Sequence, residues 1–303
     1  MSKKIKVALI GLDTSHTIEF ARRMVAPDCS PESEIANLRP ISCLRFTTPF
    51  LSEDGLNGRQ QTLESLGITV TTDFDDAVKG SDALMLLIND PALHLEYLMR
   101  CADLRKPVFI DKPLADNLGN GRKICEVAKA KGLQVFSASS LRDVPQLAAA
   151  CKSLPKPLFM HAFGPLSEAP AGSNIVWYGV HAVEMLERGM GRGATSVSAK
   201  KDGAGITAIV EYPGNRRGVV ELNNGVYVYG GCLRDQARAI PFVADVGQSF
   251  STLLEQVARF FRTGRSPLEL EETLEVMALL DAIQRSLEAG EVALLEGACA
   301  KTG

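Results

Sequence analysis

Short hydrophobic runs alternate with segments of helical periodicity through the first half of the chain. The runs, which are typical of buried strands, cover residues 5–10, 41–46, 68–71, 83–88, 108–110 and 134–138. Helical patterns follow at residues 12–24, from residue 73, and at 93–104 and 117–131. Strands that alternate with helices predict βαβ units, right-handed crossovers and a doubly wound parallel sheet.

The second half of the chain has a different pattern. Residues 155–165 are turn-rich around one strand, and residues 174–188 have the periodicity of a helix. Five segments with strand character follow: TSVSAK, ITAIVEY, GVVELN, VYVYGGCL and AIPFVADV. Pro213, Gly214 and Asn215 predict a hairpin turn, and successive hairpins favour an antiparallel sheet. Two further helices are predicted at 250–263 and 270–289.

Two domains are the expectation for 303 residues. We expect an α/β chain in which residues 1–140 form a Rossmann-like, doubly wound domain. Residues 141–303 are then an α+β domain with a mostly antiparallel sheet. Ligands of open α/β sheets bind at the carboxyl ends of the strands, so the residues just after each strand are the candidates for chemistry.

Charge and composition narrow the class of protein. The formal net charge is −3, which argues against nucleic acid as a partner. Since neither a long apolar stretch nor a signal peptide is recognisable, we expect no membrane contact and a cytoplasmic protein. Seven scattered cysteines without a C-x-x-C pair predict reduced thiols, and the histidines and cysteines lack the spacing of metal ligands.

The first strand is followed by Gly11-Leu-Asp-Thr-Ser-His16. A dinucleotide site has G-x-G-x-x-G at this point, and only its first glycine is present, because Asp13 and His16 replace the other two. A carboxylate beside a pyrophosphate is repulsive. Two interpretations stay open: Thr14 and Ser15 assist anion binding at the helix N-terminus, or one of Asp13, Thr14 and Ser15 caps the helix.

The end of the second predicted strand bears on the choice between NAD and NADP. An acidic residue there binds the ribose of NAD, but the chain reads Arg45-Phe-Thr-Thr48. Arg45 is either a ligand of the 2′-phosphate of NADP or a solvated arginine at a strand end. The sequence leaves both open.

Several motifs resemble the glucose–fructose oxidoreductase / inositol dehydrogenase / MocA family. PVFIDKPLA at 107–115 is similar to its E-K-P-L-A signature, and Gly179-Val180-His181 to the centre of its D-x-G-x-H-x-x-D segment. Three weaker matches keep the family's order: Asp90–His94, residues 140–145 and residues 283–290. The chain departs from the motifs at Asp111, which replaces the signature glutamate, and at Trp177 and Glu184, which replace the two aspartates.

The resemblance implies hydride transfer between a nicotinamide cofactor, NAD or NADP, and a carbohydrate-like alcohol. It implies that Lys112 polarises or deprotonates the reacting hydroxyl and that His181 is a general base. The cofactor is expected to contact the following residues: Gly11, Asp13, Thr14, Ser15, His16, Arg45, Asn89, Asp111 and Lys112. Those expected to bind substrate are Arg142, Trp177, Tyr178 and Glu184. An ion pair between the domains is an open alternative for Arg142, and His94 is expected to be structural.

We therefore expect an NAD(P)-dependent dehydrogenase that acts on a sugar, inositol or related polyol derivative. The alternative is a protein of the same fold that binds a nucleotide or sugar without turnover, as a sensor or partner. The resemblance also implies that subunits pair through the second sheet, so a homodimer or higher homo-oligomer is expected.

Overall fold

A computed structural model of the chain describes residues 4–26 and 33–295. The first half forms a six-stranded, fully parallel sheet with the strand order β3-β2-β1-β4-β5-β6. Its strands are β1 (Ile5–Ile10), β2 (Leu38–Leu44), β3 (Thr69–Thr71), β4 (Ala83–Leu86), β5 (Val108–Asp111) and β6 (Val135–Ala138). The doubly wound parallel sheet is thus confirmed, with its change of winding direction between β1 and β4.

Five helices accompany the described strands of this sheet, and the periodicity predicts all of them except α2. They are α1 (Ser15–Val25), α2 (Glu53–Ser65), α3 (Phe74–Val78), α4 (His94–Cys101) and α5 (Leu118–Lys131). Helix α2 was not predicted, because its sequence EDGLNGRQQTLES contains two glycines and buries only Leu56 and Leu63.

The second sheet has seven strands in the order β12-β11-β7-β10-β9-β8-β13. The strands are β7 (Phe159–Leu166), β8 (Ser196–Lys201), β9 (Gly205–Tyr212), β10 (Arg216–Asn224), β11 (Gly230–Arg234), β12 (Ala239–Val243) and β13 (Ala293–Leu294). Only β10 and β7 pair in parallel, so the mostly antiparallel sheet is confirmed. The segment VYVYGGCL is a strand only from Gly230 onward, and its first four residues form a loop.

Four helices accompany this half of the chain: α6 (Pro145–Ser153), α7 (Val180–Met190), α8 (Val246–Thr263) and α9 (Leu270–Ala289). A π-helical segment, Ile175–Gly179, leads into α7. One face of the sheet buries Ala162, Ala208, Val210 and Val220. The side chains of Phe159 and Ile209 on the opposite face remain more than a third exposed.

Two compact units divide the chain. The first contains Met1–Ala138 and Phe250–Leu270, and the second contains Ser139–Ser249 and Glu271–Gly303. The predicted domain bounds 1–140 and 141–303 remain a prediction. The compact units differ from these bounds, because most of α8 belongs to the first unit. Leu254, Val257 and Phe260 of α8 are buried in the same core as Val7 and Phe136.

No disulfide bond joins the five cysteines at positions that the structure describes, and the reduced state of the thiols stays a prediction. Cys29 and Cys299 lie outside the described residues. Among the described helices, none combines the length and hydrophobicity that a membrane crossing requires.

Candidate functional site

Gly11 forms the tight turn between β1 and α1. Its φ of +108° lies in the region that favours glycine, and a Cβ atom there would lie 2.3 Å from the carbonyl oxygen of Leu87. Its amide donates to Leu44 O at 3.0 Å, and its carbonyl accepts from the hydroxyl of Thr17 at 3.0 Å. The first glycine of the motif is therefore retained for a steric reason.

Asp13 is turned into the protein. Its carboxylate oxygens accept from the backbone amide of Asn89 at 2.9 Å and from the hydroxyl of Thr48 at 2.7 Å, and only 1% of the residue is exposed. Burial raises the pKa of this carboxyl despite the two hydrogen bonds. Asp13 thus ties together the segments that follow β1, β2 and β4. Sequence reasoning gave Thr48 no role.

The N-terminus of α1 has a defined cap. Thr14 Oγ1 accepts from the amide of His16 at 3.2 Å, so Thr14 is the capping residue rather than Asp13. Ser15, the first residue of the helix, is exposed. The helix end therefore presents its positive dipole beside a solvent-accessible hydroxyl.

His16 and Asp111 contact each other. Nδ1 of His16 lies 2.6 Å from Oδ2 of Asp111, although His16 follows β1 and Asp111 is the last residue of β5. Burial acts to raise the pKa of Asp111, but His16 and the neighbouring Lys112 outweigh it and hold that pKa below its usual value. The rings of Phe20 and Phe250 pack edge-on against His16.

Lys112 lies directly after β5 and is buried, with 9% of its surface exposed. The peptide bond from Lys112 to Pro113 is cis. Because the carboxyl ends of parallel strands meet at one edge of a sheet, Lys112 shares this edge with Gly11, Asp13 and Asn89.

Arg45 follows β2 and bonds to α2. Its guanidinium donates to Oε1 of Gln60 at 2.5 Å and forms an ion pair with Glu53, so its charge is partly neutralised. His94 is fully buried, and both of its ring nitrogens face backbone carbonyls, those of Leu114 and Ile88, as a structural residue requires.

The edge of the first sheet fits an anionic cofactor. The helix N-terminus and the exposed Ser15 are the parts of this edge that suit a phosphate group. The repulsion expected from Asp13 is reduced, because both of its oxygens accept hydrogen bonds inside the protein. No group of three or more potential ligands could hold a metal ion within the described residues.

A second cluster of predicted residues lies in the second unit, at the start of α7. Nδ1 of His181 lies 2.7 Å from the hydroxyl oxygen of Ser139. The amide of Ser139 donates to Oε1 of Glu184 at 2.8 Å. Trp177 and Tyr178 lie one turn earlier on the π-helical segment, with their rings 4.8 Å apart and nearly perpendicular.

A network of buried charges surrounds Arg142. Its Nη1 lies 2.5 Å from Oε2 of Glu187 and 4.0 Å from Oε2 of Glu184, and its Nη2 lies 3.3 Å from Glu272. Burial raises the pKa of Glu184 to about 7, although Arg142 and the amide of Ser139 oppose the change. The three glutamates that contact Arg142 all belong to the second unit. These contacts therefore do not form the ion pair between domains that the sequence left open.

Two residues that sequence reasoning missed complete this cluster. Ser139 was not singled out because a serine at a strand end carries no motif. The ring of Tyr229 stands edge-on to that of His181 at 5.4 Å, and burial raises its pKa. The sequence signal for Tyr229 was an aromatic segment after β10, but the pattern of that segment predicts a strand.

Comparison with known proteins relates this architecture to a family. Residues 48–139 match the family GFO_IDH_MocA, an oxidoreductase family with an NAD-binding Rossmann fold. The search of curated protein sequences gave no significant match.

Solved structures match nearly the whole chain. A myo-inositol dehydrogenase from Corynebacterium glutamicum superposes with a TM-score of 0.80 at 13% identity, covering 97% of this chain and 99% of its own. A scyllo-inositol dehydrogenase from Lactobacillus casei, with bound NAD(H) and scyllo-inositol, gives 0.77 at 12% identity over 97% and 99%. A myo-inositol 2-dehydrogenase from Lactobacillus plantarum gives 0.77 at 14% identity over 97% and 100%. At these identities the likeness shows the fold. The predicted resemblance is thus confirmed: residues 48–139 match the model of this oxidoreductase family with an NAD-binding Rossmann fold.

Proposed function

We propose that this protein is an NAD(P)-dependent dehydrogenase of a sugar, inositol or related polyol derivative. The observation that carries the proposal is the buried Lys112 at the carboxyl edge of a Rossmann sheet, beside the turn of Gly11 and the exposed N-terminus of α1. The inositol substrates named for the similar structures supply the substrate class.

The proposal gives roles to five of the predicted residues. The N-terminus of α1, with Thr14 and Ser15, binds phosphate, and a bound nicotinamide dinucleotide would supply the hydride acceptor or donor. Lys112 holds or takes the proton of the reacting hydroxyl at Nζ. Tyr178 and Trp177 contact the substrate from the start of α7.

The choice between NAD and NADP depends on Arg45. The ion pair with Glu53 leaves less net positive charge for a 2′-phosphate than an unpaired arginine offers. We therefore expect NAD to bind at least as tightly as NADP.

Isothermal titration with NAD, NADH, NADP and NADPH tests the proposal, followed by assays with a panel of polyols. We expect one of the cofactors to bind and to be turned over, and Lys112→Ala to lower kcat by about 100-fold or more. Lys131→Ala, at an exposed lysine paired with Asp103, is the matched control and should keep full activity. Failure of all four cofactors to bind would refute the proposal.

A binding protein without turnover is the second candidate. Asp13 and Trp177 favour it, because Asp13 replaces a glycine that lets the backbone approach the pyrophosphate and Trp177 replaces the motif's aspartate. Cofactor binding without turnover of any polyol, unaffected by Lys112→Ala, would support this candidate. A cytoplasmic location and a homo-oligomer that pairs through the second sheet also belong to our proposal.

A further inference from the structure

Ser139 is held between two adjacent turns of α7. Its hydroxyl oxygen lies 2.7 Å from Nδ1 of His181, and its amide donates to the carboxylate of Glu184 at 2.8 Å. His181 and Glu184 are three residues apart and therefore on one face of the helix. One residue of the segment after β6 is thus fixed by both its side chain and its backbone.

The hydroxyl of Ser139 has a defined pattern of donors and acceptors. The hydroxyl oxygen accepts from the amide of Leu141 at 3.0 Å. The backbone carbonyl of Ser139 accepts from the amide of Arg142 at 3.1 Å, which closes a tight turn. Only 1% of Ser139 is exposed, and buried hydroxyl groups normally donate as well as accept. Among the contacts of the described residues, the imidazole nitrogen 2.7 Å away is the one acceptor within reach of the hydroxyl proton, so the hydroxyl donates to it.

The geometry points to Ser139 as a positioning residue that donates its hydroxyl proton to Nδ1 of His181 and holds the neutral imidazole with its proton on Nε2. A carboxylate beside Nδ1 would do the opposite, because it only accepts hydrogen bonds and therefore fixes the proton on Nδ1. The inference rests on the proposed function where it assigns a chemical role. In that role Nε2 of His181 donates a hydrogen bond to a substrate oxygen, and the neutral His181 is a donor rather than a base.

Several titratable groups face His181 and belong in any test that varies pH. The rings of Tyr178 and Tyr229 stand edge-on to it at 6.4 and 5.4 Å. Glu184 follows on the next turn, and Arg142 faces Glu184 in turn. In the variant Ser139→Asp, the new carboxylate would lie closer to the imidazole ring of His181 than any of these groups.

Nitrogen-15 NMR of the imidazole rings tests the tautomer in the full-length protein without cofactor or substrate. The signals of His181 are assigned by comparison with His181→Gln. We expect Nδ1 of the neutral ring to resonate as an unprotonated nitrogen and Nε2 as a protonated one. A neutral ring protonated on Nδ1, or an equal mixture of the two tautomers, overturns the inference.

Variants of Ser139 give a second, independent measurement. Ser139→Thr keeps the hydroxyl and should keep the Nε2-protonated tautomer, whereas Ser139→Asp should move the proton to Nδ1. In wild type, kcat/KM should not depend on the ionisation of His181, because Nε2 carries a proton in both states. In Ser139→Asp it should fall at least 10-fold as pH rises through the titration of His181. The same fall in wild type overturns the inference.

The two proposals fail separately. If no nicotinamide cofactor binds, the proposed function is refuted while the measured tautomer still decides the role of Ser139. If cofactor turnover is found and the neutral ring carries its proton on Nδ1, the proposed function stands and Ser139 is not the donor.

Discussion

His16 and Asp111 each replace a residue of the family's motifs, and they contact each other. The third glycine of G-x-G-x-x-G is His16, the glutamate of E-K-P is Asp111, and the two side chains meet at 2.6 Å. A histidine ring needs space that the shorter aspartate provides, so the two replacements compensate sterically and electrically. The sequence shows each departure alone, because 95 positions separate them and no local pattern links them.

Gly11 is the residue of the first turn whose replacement should have the largest cost. Gly11→Ala places a methyl group 2.3 Å from a backbone oxygen at a φ of +108°. We expect a loss of about 2 to 5 kcal/mol in the free energy of unfolding, from strain and overpacking together. Urea denaturation of the purified variant measures it.

Gly58 of α2 is the matched control for Gly11. A Cβ atom there meets nothing within 4 Å, and its φ is that of a helix. Gly58→Ala should therefore stabilise the protein by about 0.5 to 1 kcal/mol. An unchanged stability for Gly11→Ala would contradict the turn described here.

The carboxyl of Glu184 should make stability depend on pH. Its pKa rises from 4.5 to about 7 on folding, so the folded protein binds the proton more tightly than the unfolded chain. Stability from this group is therefore present below pH 4.5 and is lost as pH rises towards 7, by on the order of 3 kcal/mol. Urea denaturation of wild type and Glu184→Gln at pH 5 and pH 8 measures the difference.

Glu184→Gln should lose less stability than wild type between those two pH values, because glutamine does not ionise and still accepts from the amide of Ser139. Glu272→Gln removes a more exposed carboxylate from the same arginine and should keep the wild-type dependence. Equal pH dependence of wild type and Glu184→Gln would show that the buried carboxyl is not the cause.

Elements with a clear period were predictable from the sequence. The strand Ile5–Ile10 and the helix Leu270–Ala289 agree with their predicted bounds, because one is continuously apolar and the other keeps a buried stripe over 20 residues. Helix α2 was missed, since two glycines weaken its pattern. The segment 226–229 was wrongly predicted as a strand, because its alternation of valine and tyrosine also suits a loop with one buried ring, that of Tyr229.

The start of α7 shows what the sequence could not predict about the candidate site. A helix over residues 174–188 was predicted, but its first turn is π-helical, and a π-helical turn changes which side chains share a face. This segment presents Trp177 and Tyr178, and such turns are frequent at functional sites. Periodicity alone does not distinguish it from an α-helix, so the sequence located the residues without their relative directions.

For the whole molecule, the exposed face of the second sheet is the basis of the proposed assembly. Ile209, Val219 and His161 lie side by side on β9, β10 and β7, and charged residues, including Arg217 and Glu221, flank this row. An apolar centre with a charged rim is typical of an interface between subunits. Light scattering should give the mass of a dimer or a larger assembly.

Val219→Glu should dissociate that assembly, because it buries a charge at the centre of the row. Met99→Glu is the control: it adds the same charge at an exposed position of α4 and should leave the mass unchanged. A wild-type mass equal to the monomer would exclude the interface.

The membership of α8 in the first unit has a consequence for biosynthesis. Phe260 packs on Phe136 and Phe250 on Phe20, so the core that opens with the earliest strand contains residues made more than a hundred positions after β6. A ribosome must therefore release nearly the entire second sheet before the first unit can close. Folding of the N-terminal half cannot be complete while translation is only half finished, and a nascent chain of that length would expose the apolar side chains that α8 later covers.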